Sequence, residues 1–206
     1  MWALIEDGSI TKHLRGNRGI TIGDIQYSRN IFSFRWSNAE REAIGIYEVV
    51  FNNTKKKDEA YYTNTNQTFT YDADAGTVTA TYGDATAKAH ADANATDADG
   101  NDLDPVVVIE GLKTKLIRTV KKQAAGILQD TDWYILRKAD ANTDVPSAIT
   151  TFRAAVRTKG AAMETLITNA SNTPAIETLY TFVNTADEGD PVVMARPLGV
   201  FPELGS

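Results

Sequence analysis

Two histidines, no cysteine, and 27 acidic against 21 basic side chains set the chemical repertoire of this 206-residue chain. Without cysteine there is no thiol nucleophile, disulfide framework, iron–sulfur cluster or Cys-ligated zinc. His13 and His90 stand far apart in sequence and neither has a neighbouring nucleophile, so both read as surface residues. Serine-hydrolase, P-loop and zincin signatures are missing. A carboxylate pair for glycoside hydrolysis stays open, because its spacing is a property of the fold. The chain is read as a non-enzyme with no cofactor.

Two charged segments suggest ligands. Asp97-Ala98-Asp99-Gly100-Asn101-Asp102 alternates oxygen donors as a calcium loop does, but a loop counted from Asp97 requires glycine where Asp102 stands and glutamate where Val108 stands. It is read as an acidic turn, with no metal. Lys115, Arg118, Lys121 and Lys122 line one helical face with no acid from Gly111 to Gln129, which suits an acidic partner, simple solvation, or neutralisation of the Asp-rich segment. The net charge of -6 weighs against nucleic acid.

Binding by shape draws on other residues. Trp36 follows Phe32 and Phe34 and precedes a helix cap, a place for a hydrophobic staple or a binding platform. Trp133 and Tyr134 read as bundle anchors. Arg153 and Arg157 share a helix face, open to a partner's carboxylates or to Asp132 and Asp144 of the same chain, with local pairing preferred. Trp36, Trp133, Tyr134, Arg137, Arg153 and Arg157 are the candidate partner-binding residues.

These residues need elements to hold them. Residues 84–104 contain seven Ala and six Asp with a net charge of -5, leaving the rest at -1. So little apolar surface cannot offset the ordering entropy of the backbone, and the segment is read as a linker or solvated arm. It separates a strand-rich domain, 1–83, from a helical domain, 105–186, which an extended tail, 187–206, follows. In the first, Asp7-Gly8 closes a hairpin between Trp2–Ile5 and Ser9–Thr11. Ser37-Asn38-Ala39-Glu40 is a capping box, Gly45 ends that helix, and 46–51 is a strand. Thr68–Tyr71 and Thr77–Tyr82 alternate around Asp74-Ala75-Gly76, a hairpin with one apolar and one threonine side.

After residue 104 the period changes to that of helices. Leu112, Leu116, Ile117, Val120, Ala124, Ile127 and Leu128 fall within about 160° of a helical wheel. Ile149, Phe152 and Val156 form a second stripe; Met163, Leu166, Ile167 and Ala170 form a third. Thr173-Pro174 opens a short helix with Thr173 as its cap. The fold class is therefore α+β, a small antiparallel β region with one short helix followed by three or four helices on one apolar seam. The expected core is Leu4, Ile22, Trp36, Ile44, Tyr47, Val49, Phe69 and Val78 in the first part. In the second it is Leu112, Leu116, Val120, Ile127, Trp133, Phe152, Val156, Met163, Leu166 and Ile167. The longest aliphatic run, Val106–Ile109, is far below the ~20 residues a bilayer span needs, so no membrane insertion is expected.

Thr131-Asp132-Trp133-Tyr134, Arg137, Pro146 and Phe152-Arg153-Ala154-Ala155-Val156-Arg157, preceded by an Ala-containing helix, resemble the C-terminal segment of tail-fibre assembly and tail-fibre-associated proteins of tailed bacteriophages. Trp36, Glu40, Gly45-Ile46-Tyr47 and the Thr-rich hairpin resemble the short β region such proteins carry ahead of the helices. The resemblance covers about two thirds of the chain and leaves out the Asp-rich segment and the tail. It implies a structural protein that binds fibre or baseplate proteins by protein–protein contacts, as a virion component of the tail or as a fibre-assembly chaperone in the host cytoplasm. A homo-oligomer fits that role. The alternative reading is a carbohydrate-binding adhesin with Trp36, Tyr47, Tyr61, Tyr62 and Tyr82 as an aromatic surface toward the host envelope.

Overall fold

The computed structural model describes residues 1–205 and divides into two compact units, the first ending at Thr86 and the second beginning at Ala87. The α+β class holds: strands dominate the first unit and helices the second.

Strands β1 (Trp2–Glu6) and β2 (Ser9–Leu14) form the expected hairpin, with Asp7 and Gly8 at φ 50° and 74°, the paired left-handed conformation that matches strand twist. β3 (Ile20–Ile22) and β4 (Ile25–Tyr27) make a second small hairpin. A 3₁₀ turn, Arg29–Phe32, brings Ile31 inward. The short helix α1 (Asn38–Glu42) starts from the predicted capping box: the Ser37 side chain accepts from the Glu40 amide, and the Glu40 carboxylate accepts from the Ser37 amide at 2.7 Å. The bonds that the carboxylate accepts from the Ser37 amide and hydroxyl hold the Glu40 carboxyl below its ordinary pKa. Gly45, at φ 78°, lets the chain turn into β5 (Ile46–Asn52), and its carbonyl accepts the Ile5 amide at 2.8 Å. After β6 (Tyr62–Thr63) come β7 (Thr68–Asp72), β8 (Thr77–Thr81) and β9 (Thr86–Ala87).

The sheet order is β2-β1-β5-β8-β7, antiparallel except for the parallel pairing of β5 with β8, in which Val49 lies opposite Val78. Neighbours on a strand point to opposite faces, so Ala3 and Leu4 seed different clusters. Ala3 packs with Val49, Val78 and Ala80; Leu4 packs with Ile31 and Ile46, ringed by Trp2, Tyr27, Phe32 and Trp36. Arg41, on α1, is buried. Its guanidinium donates to the carbonyls of Ile31 at 3.0 Å and Ser33 at 3.3 Å and to the Asn38 side chain at 2.7 Å.

The second unit begins with β10 (Ala93–Asn94) and β11 (Val108–Ile109), an antiparallel pair. Four helices follow: α2 (Leu112–Gln129), α3 (Asp132–Ala141), α4 (Ser147–Asn169) and α5 (Thr173–Tyr180). β12 (Val183–Asn184) and β13 (Met194–Ala195) close the described chain with another hairpin. Helices α2 and α4 carry the core, in which Val120, Met163, Ile167 and Leu198 pack with Leu116, Ile117, Leu179 and Phe201.

Several expectations change here. The second and third apolar stripes lie on a single 23-residue helix, because nothing between Ile149 and Asn169 breaks it; Gly160 accommodates the Phe201 ring. Leu166 is exposed rather than core, since it sits about 90° round α4 from the centre of the buried stripe of Val156, Met163 and Ile167. Trp133 is half exposed, on a helix that fully buries none of its own residues. The cap of α5 is Asn172, whose side chain accepts from the Ala175 amide at 2.9 Å, while the Thr173 hydroxyl donates to the Lys88 carbonyl at 2.6 Å.

The Asp-rich segment is exposed along most of its length, yet tied down at Lys88 and Asp92. Asp92 accepts the Gly111 amide and the Thr114 hydroxyl, both at 2.8 Å, which anchors it to the start of α2 and holds its carboxyl below the ordinary value. The tail is not simply extended from Asp187: Leu198 is buried in the helical core, and its amide donates to the Leu179 carbonyl at 3.0 Å.

Candidate interaction surfaces

Arg153 is one of few buried charges and organises the end of the helical unit. One guanidinium nitrogen donates to the Leu128 carbonyl at 2.8 Å and to the Thr131 hydroxyl at 2.6 Å; the other pairs with the Asp132 carboxylate at 2.8 Å. Thr131, itself buried, also donates to the Leu128 carbonyl. The last carbonyls of a helix lack intrahelical donors. A single planar fork therefore satisfies the end of α2 and fixes the first residues of α3. Local pairing of Arg153 with Asp132 matches the sequence reading. Asp144 goes instead to Lys138, at 2.6 Å, which holds the Asp144 carboxyl low. Arg157 stays exposed.

Fixed this way, α3 buries none of its own residues. The Trp133 and Tyr134 rings stack at 3.8 Å between centroids, and the Arg137 guanidinium lies 6.0 Å from the Trp133 ring. Leu136, 68% exposed, lies beside them on the same side of the helix, and Ile135 is exposed on the opposite side. Trp, Tyr and Arg are the side chains that dominate binding energy at protein interfaces, and a contiguous exposed apolar patch marks such surfaces. Trp133, Tyr134 and Arg137 thus come together on one helix. Arg153 supports them from below and does not itself reach solvent.

Trp36 does not join a surface of this kind. It belongs to the first unit, edge-on to Tyr27 at 6.3 Å, within the ring around Leu4 and Ile46, in the staple-like core use weighed above. Tyr61 and Tyr62 are buried, and the Tyr47 and Tyr71 hydroxyls share a hydrogen bond of 3.2 Å that, together with burial, raises the Tyr47 pKa. The five aromatic residues of the adhesin reading therefore do not lie together as an open platform. The same unit has a cavity of about 410 Å³ lined by Lys12, His13, Arg15, Arg18 and Phe32, with no acid among its lining residues, which suits an anionic group.

Sequence reasoning missed a repeat. Asp104-Pro105-Val106-Val107-Val108 recurs as Asp190-Pro191-Val192-Val193-Met194, and the two copies occupy equivalent places in two hairpin arms. Asn94 lies opposite Val108 and Asn184 opposite Met194. The Ala95 amide donates to the Val107 carbonyl at 2.7 Å, and the Thr185 amide to the Val193 carbonyl at 2.8 Å. Each arm turns at an acidic tip, with Gly100 and Gly189 in the left-handed region. A search for the D-P-V-V string would have found the pair.

Within the first tip the Asp97 carboxylate accepts the amides of Asp99 and Asn101, each at 2.9 Å, the geometry of a self-bonded turn. Those bonds lower the Asp97 pKa. The described residues contain no group of three or more His, Asp or Glu that could hold a metal ion, and no helix long and apolar enough to cross a membrane. No family model, curated protein or solved structure matches the chain.

Proposed function

We propose that the protein is a tail-fibre-associated structural protein of a tailed bacteriophage, acting at the fibre or baseplate, or during fibre assembly, through protein–protein contacts and without catalysis. The α3 surface supports this reading most directly: Trp133, Tyr134 and Arg137 stand on a helix that fully buries none of its residues and whose start is held by Arg153. Rigid presentation of aromatic and arginine anchors lowers the entropic cost of docking. The sequence likeness around the same residues, Thr131 to Arg157, supports a partner of the fibre or baseplate class. The protein is placed in the virion tail or, during assembly, in the host cytoplasm.

Co-expression of the full chain with the fibre and baseplate proteins of a phage that encodes it tests the reading. Capture of a fibre or baseplate protein by the wild type, reduced at least tenfold by W133A with L136A, is the expected result. Absence of capture together with normal fibre assembly after deletion of the gene overturns it.

A further inference from the structure

The geometry points to self-association of this chain through its two hairpin arms, a contact that does not depend on the appendage reading. Val106, Val107, Val108 and Ile109 are each half exposed or more, as are Val192, Val193 and Met194. An uninterrupted β-branched run is the sequence of a strand buried on both faces, whereas a strand with one wet face alternates. Here both faces are open. β11 pairs only with β10, and β13 only with β12, so each arm also has an open edge. The ladder bonds at Val107 and Val193 point inward; by antiparallel alternation the amides and carbonyls of Val108 and Met194 face that open edge.

Three observations select a second copy as the occupant. The first is area. The protein exposes 13767 Å², whereas two separate compact domains with the masses of its units would expose about 11,400 Å². The excess over the whole chain, about 2,400 Å², is of the size a stable homo-oligomer buries. The second is composition: the runs 106–109 and 192–194 carry no charge, as the apolar centre of a homodimer interface does. The third is charge direction. Side-by-side tips would bring Asp97, Asp99, Asp187 and Glu188 into repulsion. Antiparallel pairing instead sets each acidic tip against the root of another arm, where β11 runs on through Glu110, which is paired with Arg118, to Lys113 and Lys115, and β13 runs to Arg196. Because the arms are equivalent, any arm of one copy meets an acceptable edge on another, the circumstance in which strand addition joins like chains.

Sedimentation velocity on the full chain from 1 to 100 µM, beside V107D, V193D and the double variant, tests this. The wild type is expected to sediment as an oligomer, each single variant to weaken association at least tenfold, and the double variant to remain a monomer with an unchanged circular dichroism spectrum. Hydrogen exchange on the wild type gives a reading independent of any variant: the Val108 and Met194 amides become protected as concentration rises. A wild-type monomer at 100 µM, an oligomer that survives in the double variant, or exchange at Val108 and Met194 that ignores concentration overturns the proposal.

Discussion

The guanidinium of Arg153 donates to the hydroxyl of Thr131, 2.6 Å away and 22 residues earlier in the chain. Around that bond the end of one helix, the start of the next and the middle of a third are held together. Truncating Arg153 takes the donor from the buried Thr131 hydroxyl, while the half-exposed Asp132 returns to water, so R153A is expected to cost the helical unit about 2 kcal/mol. R153K keeps the charge but loses the fork, and about half of that cost is expected from the carbonyl and hydroxyl left unpaired. Urea denaturation followed by helical circular dichroism measures both.

Two tryptophans should respond in opposite ways. W36A removes a ring packed among Tyr27, Leu4 and Ile46 and should lower stability by about 2 kcal/mol, less than full burial would give. W133A removes a half-exposed ring and should change stability by no more than about 0.5 kcal/mol. Equal losses in thermal denaturation would contradict the separation of core from docking surface.

Acid should loosen the anchor of the Asp-rich segment. The folded-state pKa of Asp92 is lowered, chiefly by the Gly111 amide and then by the Thr114 hydroxyl. Its contribution is therefore fully present above the unfolded value of 3.8 and is lost as pH falls through the depressed folded value. D92N should flatten the fall of Tm as pH drops below 3.8 relative to wild type, by part only, because Asp97, Asp144 and Glu40 are lowered as well. A D92N curve parallel to the wild type would show that Asp92 contributes nothing.

Gly16 is a steric test of the first unit. It adopts φ 74°, and a methyl group there would lie 2.4 Å from the Trp2 ring and 3.2 Å from Phe32. G16A combines left-handed strain with a clash and should lower stability by about 2 kcal/mol or more. Tryptophan fluorescence of Trp2 and Trp36 through a denaturant titration reads the loss.

Local chemistry made much of this protein legible in its residues. Asp7-Gly8, the Ser37–Glu40 box, the threonine-alternating hairpin and the apolar face of α2 each depend on neighbours within a few positions, so composition and period suffice to place them. The α+β class follows from their order. What only the tertiary structure decided are matters of distance along the chain. The parallel docking of β8 beside β5, the fork of Arg153 across 22 and 25 residues, and the return of Leu198 to the core depend on which surfaces find one another. Exposure was decided at the same level. Trp133 and Val106–Ile109 have the composition of a core, and only the absence of a covering element turns them outward. Burial is a relation between elements, and a single stretch of sequence records one side of it.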